Sequence, residues 1–227
     1  MSTFDIFDIR NEIVEDLRNA NILSTSIRGV TTATQNFTAT ASQTVFTLTN
    51  SGVKNIRSIT DNGGTSLKFI ADYTYVGSTG VVTLKVGIAV GHTVAINYDY
   101  SSSGDKIYPD RPRNVITLTS YPRIWVEEIS STTEPLGLGG DNHISDILIS
   151  IGVRVPANKD SSVSGGKGGT EDLNDLITAI RTRIRAQAKN FATFRYIYPT
   201  GVSPILPSVS DKIIQQSTDF IIKYVVE

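Results

Sequence analysis

Cysteine is absent from the 227-residue chain. Its absence excludes disulfides, thiolate catalysis and cysteine-held zinc or iron–sulfur centres, while leaving the redox compartment open. Surplus charge is absent as well. Lys and Arg number 21 against 22 Asp and Glu, so no overall field draws the chain to nucleic acid or to an anionic membrane. No apolar run approaches the roughly 20 residues that span a bilayer. Asp5 and Asp8 stand where a secretory leader would have a basic start and an apolar core. The expectation is a soluble protein made in the cytoplasm, with no membrane contact. Histidine is scarce: His92 and His143 fall in turn regions far apart, neither with a second ligand at metal spacing. No metal site is expected.

What is present falls into segments of different grammar. The chain opens with a helical pattern, in which Ile6, Ile9, Ile13, Leu17 and Ala20 recur at three- and four-residue steps. Ser2 and Asp5 have capping-box spacing. Glu12, Glu15, Asp16 and Arg18 occupy the other side and are expected to be its polar face. From about Gln35 to Tyr100 short β-type runs follow one another: 36–40, 44–49, 55–61, 67–71, 73–76, 81–86 and 93–100. Turn formers such as Asn50-Ser-Gly and Asp61-Asn-Gly-Gly separate them. Seven short strands at this spacing predict an antiparallel sandwich. Ser101–Asp105 and the two prolines of Tyr108-Pro-Asp-Arg-Pro-Arg read as a linker.

The remainder predicts strand, strand, helix, strand, strand. Ile124 and Val126 share a face against Arg123 and Trp125, and Ile147 to Val155 alternate strictly. Thr170 is expected to cap a helix whose stripe is Leu173, Leu176, Ile177, Ile180, Ile184 and Ala188. Strands at 194–198 and 213–226 close the sheet. The first helix needs a partner for its stripe, and the C-terminal sheet offers one. The fold class is therefore α+β: an antiparallel or mixed sheet flanked by two helices, with an inserted all-β sandwich. The expected domains are residues 1–33 with 106–227 as the body, and 34–105 as the insertion.

Catalytic signatures are not found. Ser164-Gly-Gly-Lys-Gly-Gly-Thr precedes a helix as a phosphate loop does. Lys167, however, stands before the last two glycines, and Glu171 and Asp172 would repel phosphate. No nucleophile elbow occurs, so no enzyme, catalytic residue or cofactor is expected. Arg181, Arg183, Arg185 and Lys189 form a basic side on the second helix. That side is either a solvated face suited to the helix dipole or a contact with a neighbouring subunit or DNA. Tyr73, Tyr75, Tyr98 and Tyr100 either complete the sandwich core or, if exposed, stack on a sugar.

Two stretches carry a resemblance. The N-terminal helix, Tyr121-Pro-Arg-Ile-Trp-Val-Glu-Glu, Ile147-Leu-Ile-Ser-Ile-Gly-Val-Arg-Val, the helix at 172–190 and the strand at 220–226 together resemble tail-terminator (tail-completion) proteins of long-tailed viruses. Gln43-Thr-Val-Phe-Thr-Leu through Gly91-His-Thr-Val-Ala-Ile-Asn-Tyr is similar to small β-modules of virion proteins. The resemblance implies a virion protein of the neck or tail, assembled in the host cytoplasm. Its body would form a ring, commonly hexameric, that caps the tail tube and meets the head connector or neck protein, with DNA passing transiently through the lumen. The inserted module suits a tail-fibre, baseplate or adhesin-type protein equally well. In a ring protein two loops are expected to order on assembly, one containing Leu136, Gly139 and Gly140, the other Gly165, Gly166, Lys167 and Gly168.

Overall fold

The computed structural model describes residues 6–102, 104–111, 122–135, 143–157, 169–194, 196–207 and 213–226. The chain divides into two compact units, one formed by Met1–Ile22 with Lys106–Glu227 and the other by Leu23–Asp105.

The unit at 23–105 starts with one helical turn, α2 (Thr25–Arg28), numbered after the N-terminal helix α1 (Ile6–Asn19) of the other unit. Ser24 accepts at its side chain from the Ile27 amide, and Gly29 closes the turn at φ +72°, a conformation only glycine adopts freely. Six strands follow: β1 (Thr31–Thr38), β2 (Gln43–Thr47), β3 (Val53–Asp61), β4 (Tyr73–Val76), β5 (Val81–Ile88) and β6 (Thr93–Tyr100). They form two antiparallel three-stranded sheets, β1-β6-β3 and β2-β5-β4. Phe46, Val82 and Leu84 of one sheet, with Leu48 just past β2, pack in a single core with Ile56, Ile59, Val94, Ile96 and Tyr98 of the other.

Two expectations are corrected here. The segment 67–71 is not a strand: Ile70 takes φ +64° and the chain doubles back, bridging Phe69 to Tyr73. The unit also begins at Leu23 rather than 34, and a buried arginine gives the reason. Thr32, Asp99 and Asn55 are paired neighbours across β1, β6 and β3, on the sheet face opposite Ile96 and Tyr98. Arg28 ends α2 directly over this row. Its Nη1 donates to Asp99 Oδ2 at 2.9 Å and its Nη2 to Asn55 Oδ1 at 2.8 Å. Nε and Nη2 also grip Asp105 at 3.0 and 2.6 Å. Thr32 Oγ1 and Arg57 Nε, each at 2.7 Å, satisfy Asp99 Oδ1. Burial alone would lower the Arg28 pKa, but Asp105, then Asp99, hold it above its ordinary value. Arg28 lies just inside one end of the unit and Asp105 at the other, so one ion pair ties both ends.

The body has one mixed sheet, ordered β10-β12-β9-β8-β7, with β11 also paired to β12. Its strands are β7 (Ile107–Tyr108), β8 (Arg123–Pro135), β9 (His143–Pro156), β10 (Tyr196–Val202), β11 (Leu206–Pro207) and β12 (Ile213–Val226). The helix α3 spans Gly169–Gln187, starting one residue ahead of Thr170. β7 corrects the linker reading: Ile107 is fully buried and pairs in parallel with Ile124. Ile124, Val126, Ile147, Ile149, Ile151, Val153, Phe220 and Ile222 fill the inner face. α1 covers it over β7 and β8, α3 over β9, β12 and β10.

Contacts with α3 and with the segment that follows it overturn the expected polar face of α1. Glu12 and Glu15 are buried. The Glu12 carboxylate accepts from the Ala192 and Thr193 amides and from the Thr193 hydroxyl. Asp16 receives Arg183 in a two-pronged bond at 2.9 and 2.6 Å, and Arg18 donates to the Ile107 carbonyl. A stripe on a helical wheel says which side is apolar, not whether another segment reaches the polar side.

Candidate assembly surface

The basic side of α3 does not act as one group. Arg183 turns toward α1 and is taken up by Asp16. Arg181 is half-buried, while Arg185 is exposed, as is Lys189 in the turn that extends the helix. The sequence alone could not separate these, because the partner of Arg183 lies 167 residues away.

The outer face of the sheet carries three polar rows across β8, β9 and β12: Arg123–Arg154–Gln215, Trp125–Gly152–Ser217 and Glu127–Ser150–Asp219. The Trp125 indole lies flat on Gly152, where a Cβ would come within 2.0 Å of its ring. The guanidinium groups of Arg154 and Arg111 sit 5.0 and 5.7 Å from the ring centre. Arg154 is held in turn by Gln215 at 3.0 Å, and Ser150 donates to Asp219 at 2.7 Å. A cavity of about 190 Å³ opens beside the indole, lined by Arg111, Glu127, Ser203, Leu206 and Gln215 among others. This is below the several hundred cubic ångströms of a typical small-molecule site.

One edge of the body sheet carries a row of exposed apolar side chains. β10 is the end strand of the sheet, and β11 lies on the same side of β12, because Gln215 and Ile214 already pair β9 on the other. Tyr196 (64 % exposed), Tyr198, Val202, Ile205 and Leu206 (46 % exposed) follow this edge. From the register of Lys223 to that of Gln215 the edge runs roughly 26 Å at about 3.3 Å per residue. Pro199 and the bulge between Pro199 and Gly201 interrupt it. Proline has no N–H to donate, so continuous strand addition is blocked and side chains are left as the means of contact. In the sequence, the alternation of Tyr196 and Tyr198 about Ile197 marks a strand but not its place at the edge.

The unit at 23–105 differs. Tyr73 and Tyr98 are buried, Tyr75 donates to the Lys54 carbonyl, and Tyr100 packs against Tyr98. Among its described residues no aromatic side chain is exposed, so these tyrosines build the core and its rim. His92 Nδ1 meets Asp61 Oδ1 at 2.8 Å, clasping two turns.

Among the described residues no three His, Cys, Asp or Glu side chains gather where a metal would bind. No helix among them is long and apolar enough to cross a membrane. The two glycine-rich loops, with Leu136, Gly139, Gly140, Gly165, Gly166, Lys167 and Gly168, lie outside the described residues. No family model matches this chain, and no curated protein matches it.

Proposed function

We propose that the chain is a structural subunit of the neck or tail of a tailed virus. Its body assembles into a ring that caps the tail tube, ends its polymerisation and joins it to the head connector, with DNA passing through the lumen. The observation that supports a subunit role is the apolar edge of Tyr196, Tyr198, Val202, Ile205 and Leu206. Apolar side chains gathered on one edge are the mark of a contact surface, here belonging to the body that resembles tail terminators. A head-to-tail contact through such an edge closes into a ring when the rotation per subunit divides the circle. Catalysis has no part in this reading. Polymerising the cognate tail-tube protein with and without the chain tests it. Tubes of limited length, each ending in a ring seen by electron microscopy, are expected. Tubes of unchanged length with bare ends would contradict it.

A further inference from the structure

The outward stripe of α3 has an order that the ring reading does not use. Leu173, Leu176, Ile177, Ile180 and Ile184 hold the helix to the sheet. Glu171, Asp175, Thr178, Thr182 and Arg185 are exposed on the opposite side, and exposed Lys189 follows in the next turn. Their spacing is four, three, four, three, four, the spacing of a seam between two helices. The signs run acidic, acidic, neutral, neutral, basic, basic. Turned end for end about the level of Ile180, the stripe matches itself. Glu171 falls opposite Lys189, Asp175 opposite Arg185, and Thr178 opposite Thr182.

We infer that two copies of the chain pair antiparallel through α3, across a two-fold axis near Thr178 and Thr182. Acidic side chains early and basic ones late also suit the helix dipole. The dipole, however, requires neither the alternating four–three spacing nor a small-residue centre. Ala179 and Ala186, exposed beside the threonines, keep the middle of the stripe low, so two helix axes can approach to about 8–10 Å. A parallel pair would set acid on acid and base on base. The antiparallel pair is isologous, each copy giving and receiving the same contacts. This contact is separate from the edge of β10 and does not depend on the ring. Where both operate, assemblies contain even numbers of copies.

Charge reversal tests the pairing. Glu171→Lys with Asp175→Lys makes the stripe wholly basic, and Arg185→Glu with Lys189→Glu makes it wholly acidic. Native mass spectrometry of the wild type should show dimers or even multiples, weakening as salt screens the four ion pairs. Each reversed variant alone should self-associate at least tenfold more weakly. Mixed in equal amounts, the two should restore a 1:1 heterodimer. Because the chain has no cysteine, Thr178→Cys mixed with Thr182→Cys gives a second readout, and a cross-linked heterodimer is expected. A monomeric wild type, reversed variants that pair as the wild type does, or a mixture that stays monomeric would each overturn the inference. A wild-type ring unaffected by reversal would overturn it too, while leaving the ring reading intact.

Discussion

The two units bury polar groups in opposite ways. In the unit at 23–105, Arg28, Asp99, Asn55 and Asp105 form a dry ionic centre joining the two ends of that unit. In the body, Glu12 and the Asp16–Arg183 pair form a partly wet seam joining α1 to α3 and the segment after it. Aromatic groups show the reverse. The first unit turns its aromatics inward, whereas the body leaves tyrosines on an open edge. The exposed edge of the body suits a subunit contact, so the proposed assembly is placed on the body.

Several substitutions put this contrast under stress. The largest effect is expected at Arg28: Arg28→Met removes the buried cation that Asp99 and Asp105 share, leaving Arg57 on Asp99, and loss of one partner of such a pair costs about 3–5 kcal/mol. Chemical unfolding followed by amide exchange should place the loss in residues 23–105, and a loss spread evenly over the body would break the contrast. Gly152→Ala comes next. Its Cβ would meet the Trp125 ring at 2.0 Å, and forced repacking of this kind costs about 1–3 kcal/mol. Because Trp125 is the one tryptophan, its fluorescence reports the displacement directly.

Asp16→Asn should cost less, about 1 kcal/mol or under, since the Arg183 partner is 31 % exposed and screened by water. A pH effect refines the same seam. Burial holds Glu12 and Asp16 above their ordinary carboxylate pKa values, despite their hydrogen bonds. Between the ordinary and the raised values the folded state binds more protons than the unfolded one. The stability these groups contribute is therefore greatest at the acid side and falls as pH rises through that window. Urea midpoints at successive pH values should show this slope, and Glu12→Gln should flatten it.

Much of the fold was legible because one-sided burial leaves a period. Alternation from Ile147 to Val155 marked β9, and the spacing from Leu173 to Ile184 marked α3. The bare stripe of the first helix pointed to the C-terminal sheet. What was not legible depends on contacts distant in sequence. Glu12 looked solvent-facing because its partners Ala192 and Thr193 come 180 residues later. β7 is only two residues long, too short for any period, and Ile107 reads as strand only once Ile124 is beside it. The segment 67–71 has strand-like composition, but a turn needs only one residue at positive φ, here Ile70. Of the candidate surface, Arg185 and Lys189 were readable. The edge at Tyr196 and Tyr198 was not, since only the sheet order makes β10 an end strand.

The assignment of assembly to the body is tested most directly by the native mass of two surface variants beside the wild type, in the presence of tail tubes. One carries Tyr196→Ser and Tyr198→Ser on the β10 edge; the other carries Val45→Ser and Val76→Ser, exposed on the inserted unit. The edge variant should fold as the wild type does yet lose the ring, while the other keeps it. A ring that survives the edge substitutions and disappears with those at Val45 and Val76 would contradict the assignment.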